Sequence, residues 1–229
     1  MIAVENRIFE RTPGYKVGYL ELKSVVIRDS GGEFWKKFDE EIVKIRNEYE
    51  LTKIGEDRAI SGMRKLYKGW KIDYTRYRPS SERLLRRTLK GNDLYRVNTV
   101  VDVCNYISLL YKLPIGLYDR DKAVGEITVR YGVEGDSYMG ITGLDISAGG
   151  KVVVYDGKGP VGSPATDSKR TALDNGSTNI VCLFHCPENI EEEYLDRMMT
   201  DFYENLVSLQ KNQPEIIDRG IIKAEPQGL

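Results

Sequence analysis

Histidine is almost absent: His185 is the only one in 229 residues. That excludes any centre built on two imidazoles, the HExxH zinc hydrolases and two-histidine facial triads among them. Cysteine is scarce too. Cys104, Cys182 and Cys186 are an odd number, too few for a disulfide scaffold, so a reducing cytoplasm is the expected location. No run reaches the ~18 unbroken apolar residues of a membrane span, and Met1-Ile2-Ala3-Val4-Glu5-Asn6-Arg7 meets charge too early for a secretory signal. Net charge is also lacking. Lys+Arg 34 against Asp+Glu 35 leaves −1, which argues against a protein that coats nucleic acid over its whole surface. The remaining balance, 41% hydrophobic with 30% charged, is that of a globular chain able to bury a core.

The charge is nevertheless uneven. Arg64 to Lys90 carries ten basic residues and two acids, Asp73 and Glu82, whereas Glu188 to Glu204 carries seven acids and one base. The basic stretch admits a local phosphate-binding stripe, or equally a solvated face that offsets the acidic helix.

Tyr15 to Arg28 is rich in β-branched and aromatic residues and is expected to form a strand or two. Ser30 and Glu33 have capping-box spacing before Phe34, Phe38, Ile42, Ile45 and Tyr49, which predicts an amphipathic helix over 33–50. A second helix is expected over 56–67. Pro79-Ser80-Ser81-Glu82 opens a third, with Ser80 as its cap; there Arg83, Arg86, Arg87 and Lys90 share one stripe. Just before it, Tyr74-Thr75-Arg76-Tyr77-Arg78 interleaves aromatics with arginines, a pattern suited to stacking on bases while meeting phosphates. Asn98-Thr99 starts a helix to about Lys112 that is apolar almost all round and so central, ended by Pro114 and Gly116. Eleven of the 22 glycines then fall in 125–176, between short strands expected at Glu126–Tyr131, Lys151–Tyr155 and Asn179–Phe184. A long helix is expected from about Asn189 to Gln210, with an extended tail from Pro214 to Leu229. This predicts an α+β protein of one domain: a mainly β core around the buried helix, with helices towards both ends.

Three motifs are set aside. Gly157-Lys158-Gly159-Pro160-Val161-Gly162 matches G-x-G-x-x-G, yet Pro160 and Pro164 interrupt the helix that a dinucleotide site needs behind it. Cys182, His185 and Cys186 lack the second ligand pair of a zinc site, so no metal and no cofactor is expected. Cys104 lies inside an apolar helix, where burial makes a thiol inert. What is left is a bunch of polar residues on the glycine-rich half: Arg130, Glu134, Asp156 and the loop Gly162 to Thr171.

The run Arg96-Val97-Asn98-Thr99-Val100-Val101-Asp102-Val103-Cys104-Asn105-Tyr106, then Leu113 to Asp119 and Gly125 to Arg130, resembles the B3/B4 domain of the β-subunit of bacterial phenylalanyl-tRNA synthetase, and more closely the free-standing proteins built on that domain. The likeness covers about 76–186 and implies a core at 71–187, an N-terminal β/α extension at 1–70 and a C-terminal helix and tail at 188–229. In the synthetase this domain hydrolyses the ester of tyrosine misattached to tRNA. The resemblance implies that Asn105 lines an amino-acid pocket and that the loop Gly116–Asp119, with Gly116 and Asp119, forms another wall. It further implies that the loops around Gly162 and before Thr178 hold the terminal adenosine. The sequence departs from the synthetase pattern in three places: Cys104 replaces threonine, Gly116 replaces histidine, and Leu183-Phe184 stands where a glutamate reads the tyrosine hydroxyl. The tyrosine readout is thus missing.

The resulting expectation is a tRNA-editing-like domain whose partner is tRNA or aminoacyl-tRNA. Arg130 or Arg170 would supply positive charge, Glu134 or Asp167 would hold the substrate amine, and Asn105 and Ser163 would be pocket walls. Arg76, Arg78, Arg83, Arg86, Arg87 and Lys90 would face RNA phosphates. The alternatives are an RNA-binding module without chemistry, and a binder or hydrolase of a small amino-acid derivative.

Overall fold

The computed structural model describes residues 1–225. The chain is α+β. It begins with β1 (Ile2–Val4), a short helix α1 (Asn6–Arg11), β2 (Lys16–Lys23) and three helices, α2 (Gly31–Glu48), α3 (Arg58–Gly69) and α4 (Ser80–Leu89). The central helix α5 (Thr99–Tyr111) leads into β3 (Ile115–Asp119), β4 (Ile127–Tyr131), β5 (Ser137–Met139), β6 (Asp145–Ser147), β7 (Val152–Asp156), β8 (Gly159–Gly162) and β9 (Ile180–Cys186). It ends with α6 (Glu192–Ser208) and β10 (Glu215–Lys223).

Two four-stranded sheets carry the core. One runs β1-β4-β7-β8, with β1 parallel to β4 and the other pairs antiparallel; the other runs β10-β2-β9-β3 and is antiparallel throughout. β5 and β6 form a separate hairpin. β9 reads Ile-Val-Cys-Leu-Phe-His-Cys and is buried at every position, as a strand between two neighbours and under a helix must be. The chain stretch 214–225 was expected as an extended tail. Most of it is β10, edge-paired to β2 from Glu215↔Lys23 to Lys223↔Lys16, while 226–229 lie outside the described residues.

α5 is apolar on nearly all sides and sits where that composition requires, packed against α4, α6 and β3. Asn98 caps it, its side chain accepting from the Val101 N–H at 3.0 Å, and Lys112 ends it in the left-handed conformation with φ 55°. Two expected caps are different in the fold. Ser30 does not cap α2; its hydroxyl donates to buried Asp102 on α5 at 2.6 Å, and Asp29 instead accepts from the Gly31 N–H. Ser80 is the first residue of α4 rather than its cap, because Pro79 occupies that place. Among the described residues no helix is long and apolar enough to cross a membrane.

Candidate functional site

A cavity of about 500 Å³ opens beside α5. Its walls are α5 (Val101, Cys104, Asn105, Ser108), α4 (Arg83, Leu84, Arg87) and β3 (Ile115, Leu117). The segment Ser163 to Asp167, the β5–β6 turn (Ile141, Thr142) and Tyr95, Val97 and Asn98 ahead of α5 add to it. The lining is largely apolar, with a few polar groups converging on it, the usual make-up of a small-ligand site.

Hydrogen bonds to its backbone carbonyls tie the loop to α4 and to the β5–β6 turn. The Ser80 N–H donates to the Pro164 carbonyl at 3.0 Å, Arg83 donates to the Ala165 carbonyl, and the Ile141 N–H donates to the Asp167 carbonyl at 3.0 Å. The Tyr138 hydroxyl is 3.0 Å from both the Ser163 hydroxyl and the Thr166 carbonyl. Ser163 is therefore held in place rather than loose in a turn.

Asp167 is the most perturbed acid of this wall. Its Oδ2 accepts from the Leu117 N–H at 3.1 Å, whereas Oδ1 is shut off from solvent and has no hydrogen-bond partner. Burial lifts the carboxyl to about 7, against the pull of the Leu117 N–H, Tyr118 and Arg83. The Tyr118 ring beside it fits a slot between two glycines. A Cβ at Gly116 would lie 2.6 Å from the Tyr118 hydroxyl; one at Gly162 would lie 2.7 Å from that hydroxyl and 2.9 Å from Asp167 Oδ1. Cys104 also lines the cavity, but burial pushes its thiol far up, so it stays protonated.

The fold thus gathers Asn105, Ser163, Asp167, Arg83 and Arg87 on one cavity and leaves the other sequence-selected residues outside its lining. Gly116 and Asp119 are not on a loop: they belong to β3, which is buried from end to end. Asp119 accepts from Ser177 at 2.5 Å and pairs with Lys122. Arg170 forms two bonds to buried Asp156, at 2.9 and 2.6 Å. Arg130 lies over the Tyr155 ring at 4.4 Å, and Glu134 packs beside Gly149.

The basic stripe divides in the same way. Glu82, 1% exposed, lies in the first turn of α4 and takes Arg64 through two bonds of 3.0 and 2.7 Å, Arg86 at 2.8 Å, and Arg78 at 3.3 Å. Although burial would raise its pKa, the Arg64 and Arg86 bonds hold the Glu82 carboxyl below the usual range. Arg76 rests on Tyr77, and Lys90 caps the end of α4. Leu183 and Phe184 are sealed in β9, with Phe184 edge-on to Phe202 at 5.6 Å.

Sequence reasoning missed Tyr95, Val97, Ile141 and Thr142. All four line the cavity, and Tyr95, Val97 and Ile141 are exposed apolar residues. They fall in short loop stretches, Leu94 to Asn98 and Gly140 to Gly143, that carry no periodic pattern, a signal too weak to stand out without the fold.

Residues 63–195 match the B3/4 domain family. The chain is 26% identical over 132 residues to the phenylalanine–tRNA ligase β subunit of Fusobacterium nucleatum, covering 56% of this chain and 16% of that subunit. It is 29% identical over 104 residues to the β subunit of Bartonella henselae, covering 44% of this chain and 13% of that subunit. The chain therefore spans about one-sixth or less of the curated relatives it matches. An N-terminal fragment of the phenylalanyl-tRNA synthetase β-subunit from Pyrococcus horikoshii superposes with a TM-score of 0.43 at 9% identity, covering 90% of this chain and 48% of the fragment.

Proposed function

Because the chain belongs to the B3/4 domain family, we propose that its cavity receives the aminoacylated end of a tRNA and hydrolyses the ester there. The observation that carries this reading is the convergence of Asn105, Ser163 and Asp167 on one cavity beside α5, with Arg83 and Arg87 in the same lining. An aminoacyl ester is already activated. Its hydrolysis needs a positioned water and stabilisation of the negative charge that grows on the carbonyl oxygen. Water adds to the carbonyl carbon, the tetrahedral adduct collapses, and the ribose oxygen leaves with a proton, giving free amino acid and restored hydroxyl.

In this scheme the Asn105 amide and the Ser163 hydroxyl hydrogen-bond the acyl group. Arg83 supplies the positive charge first assigned to Arg130 or Arg170, and the Asp167 carboxyl, part of the same lining, holds the substrate ammonium. An acid that titrates at about 7 binds an ammonium only once ionised, so kcat/KM rises as pH increases through that value. The test is a panel of misacylated tRNAs. The wild-type protein deacylates at least one of them, Asn105→Ala abolishes this without lowering the melting temperature, and Asp167→Asn removes the rise near neutrality. Unchanged activity in Asn105→Ala places the chemistry elsewhere.

A second reading, RNA binding without hydrolysis, is favoured by the burial of Gly116, Leu183 and Phe184, which stand at the places of the synthetase's histidine and glutamate. Salt-sensitive tRNA binding with no deacylation of any substrate selects it.

A further inference from the structure

Asn175-Gly176 is the one place in the sequence where asparagine precedes glycine. The Ser177 N–H donates to the Asp174 carbonyl at 3.1 Å, which makes Asn175 and Gly176 the central residues of a tight turn ahead of β9. Both are exposed. Such a pair carries its own chemistry. The side-chain carbonyl carbon of an asparagine lies within reach of the next amide nitrogen, and glycine has no side chain to obstruct the approach. A Cβ at Gly176 would meet, beyond its chain neighbours, only Asp174 Oδ1, at 3.3 Å. That carboxylate already holds the nitrogen in question, because the Gly176 N–H donates to Asp174 Oδ1 at 2.8 Å.

The surroundings of the turn are tightly tied. Lys122 Nζ donates to Asp174 Oδ2 and to the Ala172 carbonyl, each at 2.7 Å, and pairs with Asp119 at 3.2 Å. Buried Ser177 accepts from the Asp174 N–H at 3.0 Å and donates to Asp119 at 2.5 Å. Ala172 and Leu173, just ahead of the turn, line the cavity. The reactive pair is thus mounted on a clamp that fastens part of the cavity wall to the end of β3.

We propose that Asn175-Gly176 is a site of spontaneous covalent modification, where the asparagine becomes aspartate or isoaspartate and the Ala172–Leu173 wall of the cavity loosens. The Gly176 nitrogen bonds to the Asn175 side-chain carbonyl carbon and gives its proton to Asp174. The bond from that carbon to the amide nitrogen breaks, and ammonia leaves with the proton. A five-membered succinimide remains. Solvent water opens it at one carbonyl to give aspartate, or at the other to give isoaspartate, whose main chain runs through the side-chain carbon. No oxidant or reductant takes part. Either product places a new carboxylate beside Asp174 that competes for Lys122, and the longer backbone of isoaspartate breaks the turn bond from Ser177 to Asp174. None of this depends on what the cavity binds.

The test is incubation of the native protein at physiological pH and temperature, followed by charge-resolved separation, intact mass and peptide mapping. An acidic species is expected to accumulate, with one added negative charge and both aspartyl and isoaspartyl forms at position 175. Asn175→Gln loses this species and keeps the wild-type melting curve, whereas Gly176→Ala slows its appearance. Asp174→Ala slows it as well, since the proton acceptor is gone. The urea-unfolded chain is the reference, because the pair reacts there without help from the fold. Conversion of the unfolded chain with none in the native protein over the same period overturns the site. Conversion of Asp174→Ala at or above the wild-type rate overturns the role of Asp174. In the purified converted protein, hydrogen exchange over 171–178 is faster than in wild type and that of β9 is unchanged. Equal exchange over 171–178 overturns the link to the cavity wall.

Discussion

Asp167 and His185 are both buried titratable groups, and their effects on stability run in opposite directions. Burial raises Asp167 to about 7 in the fold, against about 3.9 in an unfolded chain. The folded state therefore holds a proton that the unfolded state gives up, and stability falls as pH rises across that window, levelling off above it. Burial lowers His185 to about 3, against about 6.5 unfolded. Here the unfolded state holds the extra proton, so stability rises with pH between those values. The His185 ring is stacked on Tyr15, whose hydroxyl is 2.6 Å from Nδ1, and its Nε2 has no partner. In the wild-type protein the two slopes offset each other over the shared range. Asp167→Asn exposes the His185 slope alone: urea unfolding of this variant is expected to show greater stability than wild type above neutrality and a steeper loss on acidification from about pH 6.5. A variant less stable than wild type at all pH values contradicts the assignment. An acid that weakens the fold while facing a cavity is the usual compromise of a binding site.

At the scale of elements, α4 separates what was legible from what was not. Its four cations were expected on one stripe by spacing alone; the helix runs Ser80–Leu89, with Lys90 as its C-cap. Yet the stripe does not act as one surface. Glu82, in the first turn, was counted only as an acid among bases; in the fold it is buried and gathers arginines from α3, α4 and the segment between them. No spacing rule reveals a partner such as Arg64, which lies 18 positions away. The consequence can be measured. Arg83→Ala is expected to lower the slope of log K against log salt for RNA by about 1 with little change in stability. Arg86→Ala and Glu82→Gln leave the slope alone, and Glu82→Gln costs about 3 kcal/mol by leaving Arg64 and Arg86 facing a neutral amide. A slope change in Arg86→Ala would show that it still meets phosphate. The helix α5 was readable because its apolar residues leave a single possible place for it. β10 was not, since Glu215–Lys223 is half exposed and owes its conformation to pairing with β2 rather than to its own composition.

For the molecule as a whole, the cavity lies where the two halves of the chain meet. The helical half supplies α4 and α5; the glycine-rich half supplies β3, the β5–β6 turn and the Ser163 loop. Native-state hydrogen exchange should reflect that construction. Amides of β9, buried at every position, and of the largely buried α5 exchange last, by global unfolding, whereas those of β5, β6 and β10, short or at an edge, exchange first. Protection of the β5–β6 hairpin equal to that of β9 would contradict this order. A bound ligand is expected to slow exchange at the hairpin turn, because Ile141 and Thr142 belong to the cavity wall.

The position of β2 has a cost during synthesis. It lies between β9 and β10, so Lys16 must wait for Cys186 on one side and Lys223 on the other. At a translation rate of roughly 5–20 residues per second, the strand leaves the ribosome on the order of ten seconds before its first partner exists. Throughout that interval Tyr-Leu-Glu-Leu, with two bare edges and an apolar face, is open to any other nascent chain nearby. Temporary cover of this strand until β9 emerges is therefore expected to raise the yield of correctly paired chains.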